Sequence, residues 1–240
     1  MNTEEMTLNP DQVRLFRHNG FLKLPTPLPK ETVAALKSTV LRDINGAIEP
    51  VARDVEGRVN RISKLAARHS IFLETAGSKE VIQPLKSLLG PNIELVRNRH
   101  NHATLNRATT RTDSFHRDVA QWTRSLVTVI FYLDASTFEK GSTVVIPGSH
   151  LLPGMDVLHN LDREPSIQEA DILDQAVPVP MPAGGMLAIN SLILHRIGTN
   201  TTTETRMSMT FGYHSADELS GNDEKRILIS GERVYRGNDL

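Results

Sequence analysis

The chain has 240 residues, with 27 lysines and arginines against 28 acidic residues, a formal net charge of -1 and no cysteine. That length suits a single domain able to bury most of its apolar surface, and the balanced charge gives no electrostatic case for nucleic acid or an anionic membrane. Without cysteine there are no disulfides, zinc-thiolate sites, iron-sulfur clusters or thiol nucleophiles, which leaves a small-molecule partner as the expectation.

The opening MNTEEMTLNPDQ lacks the basic region and apolar core of a signal peptide, and no run approaches the ~18 apolar residues of a membrane span. A cytoplasmic location is expected. Asn9 to His18 reads as a short helix, capped by Asn9, started by Pro10 and ended by Asn19-Gly20. FLKLP follows as a strand. From Pro29, apolar residues at Val33, Leu36, Val40, Ile44 and Ala47 form a helical stripe to about Asn45, suited to buttressing a sheet. Residues 50–77 carry Arg53, Arg58, Arg61, Lys64 and Arg68 among small apolar residues; they show no clear period and read as solvated surface. Ser78 to Leu89 reads as a capped helix that Pro84 kinks or splits.

After Pro91 the pattern changes to strands. IELVRNRHNHATL, LVTVIFYLD, STVVIPG, QAVPVPM, GMLAINS and RMSMTFGYH are β-branched or alternating and are separated by Gly, Pro and polar turns. Helices first and many short strands afterwards predict a mainly β fold, with the N-terminal helices packed on one face of a sandwich or barrel. Gly141 and Gly148 suit turns needing positive φ. The polar segment from Asp217 to Leu240 reads as a tail over the sheet mouth.

Chemistry concentrates in SFHRDVAQ, residues 114–121. In an extended segment His116 and Asp118 project to one side and Arg117 to the other. A further imidazole, for which His195 is the candidate, completes two nitrogens and one oxygen on one face of a metal, the facial triad of non-haem Fe(II) oxygenases. An H-x-D tripeptide is a weak signal alone; the later TETRMSMTFGY strengthens it. There Arg206, Ser208 and Thr210 share a polar face able to hold a carboxylate, while Met207, Met209 and Phe211 share an apolar one. A zinc-dependent hydrolase could use the same His/Asp/His set, and a metal-free binding module would not need it. His100, His102, His150 and His214 are rival imidazoles, each read as structural.

FRHNGFLKLP (16–25), HRD (116–118), GSTVVIPGSH (141–150) and LHRIGTNTTTETRMS (194–208), in this order, resemble the phytanoyl-CoA dioxygenase family of Fe(II)- and 2-oxoglutarate-dependent oxygenases, over about Gln12 to Tyr213. The resemblance implies a double-stranded β-helix, a cupin-like jelly roll, in one oxygenase domain over 1–240. Residues 1–90 would be mainly helical support, 91–215 the core and 216–240 the tail. It implies Fe(II), 2-oxoglutarate and O2, with His116, Asp118 and His195 as metal ligands. Arg206 would clamp the distal carboxylate of 2-oxoglutarate, as a planar guanidinium can and a lysine cannot, with Ser208 adding a hydroxyl. The strand before H-x-D would hold the C1 end; Asn98, Arg99, His102 and Thr104 stay open there, with the face of Asn98 and His102 preferred. The carboxylate of Asp118 argues against halogenation. Asn106 to Phe115 is the expected lid, and Arg107, Arg111 and Arg117 are candidate substrate contacts. The implied reaction is hydroxylation, or another oxidation, of an unactivated C–H bond with release of succinate and CO2. An amino-acid-like or natural-product intermediate is the expected substrate, an acyl-CoA the alternative. Monomer or homodimer is expected.

Overall fold

The alternation of LVTVIFY decides which way the central sheet faces. In β6 (Leu126–Tyr132), Val127, Val129 and Phe131 join one apolar cluster while Ile130 and Tyr132 join another. The same split runs along β11 (Arg206–Ser215), where Met207, Met209, Phe211 and Tyr213 fall in the first cluster. The structure, a computed structural model, describes residues 6–97, 100–108, 113–118, 126–152, 172–217 and 226–233.

The helices cover that first face. In α1 (Pro10–Asn19) the Asn9 side chain accepts from the Gln12 amide while the Gln12 side chain accepts from the Asn9 amide, and the helix ends at Gly20 with φ 82°. Val33, Leu36, Val40 and Ile44 of α2 (Lys30–Asn45) are buried on the sheet as the stripe predicts. So are Val81, Ile82, Leu85 and Leu89 of α4 (Lys79–Leu89). Pro84 sits inside α4 without splitting it, and Ser78 occupies the N-cap position without making a side-chain cap bond.

The segment without a clear period, 50–77, is ordered. It forms β2 (Val51–Arg53), β3 (Val59–Ser63), a 3₁₀ turn at Leu65–Ala67 and α3 (Ser70–Ala76). With β1 (Phe21–Lys23), the N-terminal part thus gives three strands to the sheet as well as its helices. Of these, β1 is an expected strand, whereas β2 and β3 are too short and interrupted by arginine to show a period of two.

The remaining strands are β4 (Ile93–Val96), β5 (Asn101–Asn106), β7 (Thr143–Val145), β8 (Val177–Val179), β9 (Met186–Asn190), β10 (His195–Arg196) and β12 (Arg226–Ser230). The major sheet runs β1-β9-β6-β11-β5-β3-β2; β4 also pairs with β11, and β12 pairs with β4. The minor sheet runs β10-β7-β8, and a bridge from His116 to His195 lengthens it by one step. All pairings are antiparallel, and Ile130, Tyr132, Val145, Val179, Leu187 and Ile189 pack between the two sheets. This is the predicted jelly roll with helices on one face. The expected C-terminal tail differs: its described part is the edge strand β12, tied through Arg226 and Arg233 to the buried Glu94.

Gly141 and Gly148 take φ 70° and 76°, as expected of turn glycines. A Cβ at Gly141 would stand 2.1 Å from the Gly198 carbonyl oxygen, with backbone rather than a movable side chain in the way. Gly141→Ala is therefore expected to destabilise the fold by about 2 kcal/mol or more, read as a lower urea midpoint at unchanged slope.

Candidate metal centre

Two extended pieces of chain carry the metal-binding candidates, and their backbones hold each other. The His116 amide donates to the His195 carbonyl at 2.9 Å and the His195 amide donates back to His116 at 3.0 Å. Directly opposed residues put their side chains on the same face, so the two imidazoles lie with centroids 4.4 Å apart. Asp118, two residues on, shares the face of His116, and its amide is fixed by the Ser191 carbonyl at 2.8 Å. One ligand atom from each of His116, Asp118 and His195 lies within 4.8 Å of the others.

The hydrogen bonds behind these atoms set their chemistry. His195 Nδ1 lies 3.0 Å from the Ile193 carbonyl and His116 Nδ1 3.4 Å from that of Ser114. A carbonyl only accepts, so Nδ1 of His195 is the donor there and Nε2 is the ring nitrogen turned toward Asp118; His116 is turned the same way. Those Nε2 atoms stand 3.5 Å (His195) and 3.9 Å (His116) from Asp118 Oδ1. The other oxygen, Oδ2, accepts from the Thr128 hydroxyl at 2.7 Å, and Thr128 in turn meets Ser191 Oγ at 2.9 Å. Burial works against a charge on Asp118, yet His195, then His100, the Thr128 hydroxyl and His116 hold its carboxyl below the usual value. Two imidazole nitrogens and a carboxylate oxygen on one face are the donor set that suits Fe(II).

The triad opens onto a cavity of about 830 Å³ between the sheets, within the ~300–1,000 Å³ usual for small-molecule sites. Arg206 lines it, only 2% exposed, with Nε donating to the Lys140 carbonyl at 3.3 Å and its guanidinium 5.7 Å from the Tyr132 ring centre. Among the described residues no carboxylate pairs with it within 4.0 Å. Burial lowers its pKa, partly offset by Tyr132 and Asp134, but a guanidinium stays charged. Burying a positive charge away from a carboxylate costs free energy that an anion could offset. Ser208 and Thr210 line the same cavity, as the alternation of β11 predicts, and Thr143, bonded to the Tyr132 hydroxyl at 2.7 Å, lies beside them.

His102 also faces the cavity; burial, with His100 and Arg61 adding to it, lowers its pKa to about 4, so it is neutral at pH 7. His100 was less legible. It sits just before β5 with φ 48°, and its Nε2 reaches 3.5 Å from Asp118 Oδ1, a position no alternation rule gives. Arg107 does not face the triad: it donates to the Val59 carbonyl at 3.1 Å and borders an adjoining cleft. Arg117 is fully buried, donates to the Ser149 carbonyl at 2.9 Å and is not among the residues lining the cavity; burial lowers its pKa to about 10. Asn98, Arg99 and Arg111 lie outside the described residues. His150 bonds the Arg17 carbonyl at 2.9 Å, and His214 lies 3.1 Å from Glu94, each in a structural setting. Thr128 and Ser191 went unread in the sequence, though a lone threonine on the inward face of an otherwise apolar strand is a signal for a buried hydroxyl contact.

The sequence profile of the phytanoyl-CoA dioxygenase family matches residues 16–208. The chain belongs to this family. Its members are non-haem iron- and 2-oxoglutarate-dependent oxygenases. Two uncharacterized proteins, one of Mycobacterium bovis and one of Mycobacterium tuberculosis, are each 28% identical over 100 residues, 40% of this chain and 33% of theirs; the match thus spans about a third of their length. Among solved structures, the carbocyclase SnoK from nogalamycin biosynthesis superposes with a TM-score of 0.75 at 20% identity, covering 90% of this chain and 87% of SnoK. EctD from S. alaskensis, with 2-oxoglutarate and 5-hydroxyectoine, gives 0.73 at 17% identity over 87% of this chain and 77% of EctD. The epimerase SnoN, in complex with Fe3+, alpha-ketoglutarate and nogalamycin RO, gives 0.69 at 19% identity over 93% and 96%. These likenesses bear on the fold alone: the three solved structures share this jelly roll.

For this family member, Thr128→Val removes the only described side-chain hydrogen bond to Asp118 Oδ2 while keeping the shape. The expected outcome is a native circular dichroism spectrum with Fe(II) affinity lowered roughly 10- to 100-fold, measured by anaerobic calorimetric titration.

Proposed function

We propose that the protein uses Fe(II), 2-oxoglutarate and O2 to oxidise an unactivated C–H bond of a small organic molecule, releasing succinate and CO2. One observation carries the reading. The His116–Asp118–His195 cluster and a buried Arg206, without a carboxylate partner among the described residues, open onto the same cavity. A zinc hydrolase needs the first and has no use for the second.

When bound, the iron, 2-oxoglutarate and O2 supply the oxidising power for hydrogen abstraction. The protein's own groups do the rest. His116, Asp118 and His195 hold the metal from one side and leave the positions toward the cavity for other ligands. Arg206 binds the distal carboxylate of 2-oxoglutarate bidentately, and Ser208 donates its hydroxyl to the same group. His102, kept neutral, offers an N–H to the C1 end. Arg206, Asp118 and His195 are buried, so their contacts act where the effective dielectric is lower than in water. The prime substrate is an amino-acid-like molecule or a natural-product intermediate, and hydroxylation is the default outcome of an abstraction that can also lead to desaturation, cyclisation or epimerisation.

An anaerobic titration of metal-free protein with Fe(II) and then 2-oxoglutarate tests this. A weak visible charge-transfer band is expected, absent in His195→Ala, with 2-oxoglutarate affinity falling about 100-fold in Arg206→Ala, the cost of losing a charged bidentate contact. Iron binding without the band, or preferential zinc binding with hydrolytic activity, defeats the proposal.

A further inference from the structure

The register of the major sheet aligns one row of side chains across the cavity floor. Tyr132 of β6 pairs with Ser208 of β11, Ser208 with Thr104 of β5, Thr104 with Arg61 of β3, and Arg61 with Ala52 of β2. Cross-strand partners share a face, and Ser208, Thr104, Arg61 and Ala52 all line the cavity. Ile62, next to Arg61, points the opposite way into the helix-facing core. Arg61 is therefore committed to the cavity side by the pleat, at its rim, where it remains solvent-exposed.

Three features make this arginine a ligand group. Among the described residues it forms no hydrogen bond or ion pair, although its neighbours Arg53 and Arg58 are engaged, by the Gly57 carbonyl and by Asp54 and Glu56 respectively. Its row partner Ala52 has no side chain long enough to cover it. And its charge is felt inside the cavity, since it helps keep His102 neutral. Away from the triad and Arg206, the charged lining among the described residues is Arg53, Arg61 and Arg196 against Asp113. The rim is positive, and a low-dielectric cleft focuses such a field on an entering anion.

Strands lie ~4.8 Å apart, so two strand steps put the backbone of Arg61 roughly 10 Å from that of Ser208. The rim cation is thereby set apart, across Thr104, from the residues assigned to 2-oxoglutarate, with the cavity lying over the row. We propose that Arg61 binds an anionic group, a carboxylate or a phosphate monoester, on the prime substrate, with the carbon to be oxidised extending inward toward the triad. The assignment rests on the proposed oxygenase reading, because it takes Arg206 to be occupied by the co-substrate.

The test is anaerobic calorimetric titration of the Fe(II)- and 2-oxoglutarate-saturated protein with hexanoate, hexyl phosphate and the neutral hexanamide. At least one anion is expected to bind about tenfold or more tightly than hexanamide, the worth of one charge-assisted contact. Arg61→Gln should remove that preference, Arg61→Lys should restore part of it, and the affinity for 2-oxoglutarate should not change in either. The two anions separate carboxylate from phosphate recognition. Equal binding of all three probes to the unsubstituted protein, no binding of any, or anion affinity unchanged in Arg61→Gln overturns the proposal. So does a fall in 2-oxoglutarate affinity in Arg61→Gln, which would make Arg61 part of the co-substrate site. Repeating the titration without Fe(II) and 2-oxoglutarate keeps the two readings apart. Arg61-dependent anion binding in a protein that takes up no 2-oxoglutarate preserves the role of Arg61 and removes that of Arg206.

Discussion

The reciprocal pair of backbone hydrogen bonds between His116 and His195 is the constraint on which the site depends. It joins two segments far apart in the chain and fixes both imidazoles through the main chain, where side-chain rotation cannot undo it. The support continues outward. The Leu194 carbonyl accepts from the Ile146 amide, the Leu194 amide donates to Ser149 Oγ, and the Ser149 carbonyl accepts from the buried Arg117. The turn after β7 thus braces β10 from behind while Arg117 ties the H-x-D segment to the same turn. Arg117, expected as a substrate contact, is thus tied to the backbone beside its two neighbours.

Much of this was legible because period-two alternation and metal-ligand chemistry are local properties. His116 and Asp118 at i and i+2, and Arg206 and Ser208 at i and i+2, needed only the knowledge that both stretches are extended. The helices α1 and α2 announced themselves through a cap and an apolar stripe. What the sequence concealed depends on pairing. No rule of spacing brings His100 to Asp118, since the chain before β5 takes a left-handed conformation at a non-glycine residue, which breaks the alternation. Nor does composition separate the arginines of residues 50–77. Arg68 folds inward to Asp43 and to the carbonyls of Ser63, Ile48 and Pro50, Arg58 closes a hairpin on Asp54, and Arg61 faces the cavity. Three residues of one type within a short stretch have three different fates, decided by which strand lies alongside.

Stability and chemistry are divided between the two faces of β11. Outward, Met207, Met209, Phe211 and Tyr213 pack under the helices, with Phe211 edge-on to Phe131 at 6.0 Å. Inward, Arg206, Ser208 and Thr210 line the cavity. Because β11 is flanked by β6 on one side and by β5 and β4 on the other, its polar face cannot shift without unpairing the centre of the sheet. Such a floor is preorganised, and binding there costs little ordering.

The β2–β3 hairpin has a different standing. It forms the last two strands of the major sheet, β2 pairing with β3 alone, and its tip residue Val55 is 98% exposed. None of the residues that meet the triad belongs to it, yet it supplies one wall of the cavity mouth. Its length and side chains can change without unpairing the strands that carry the triad, so the shape of the mouth is set apart from the frame that holds the metal-binding residues.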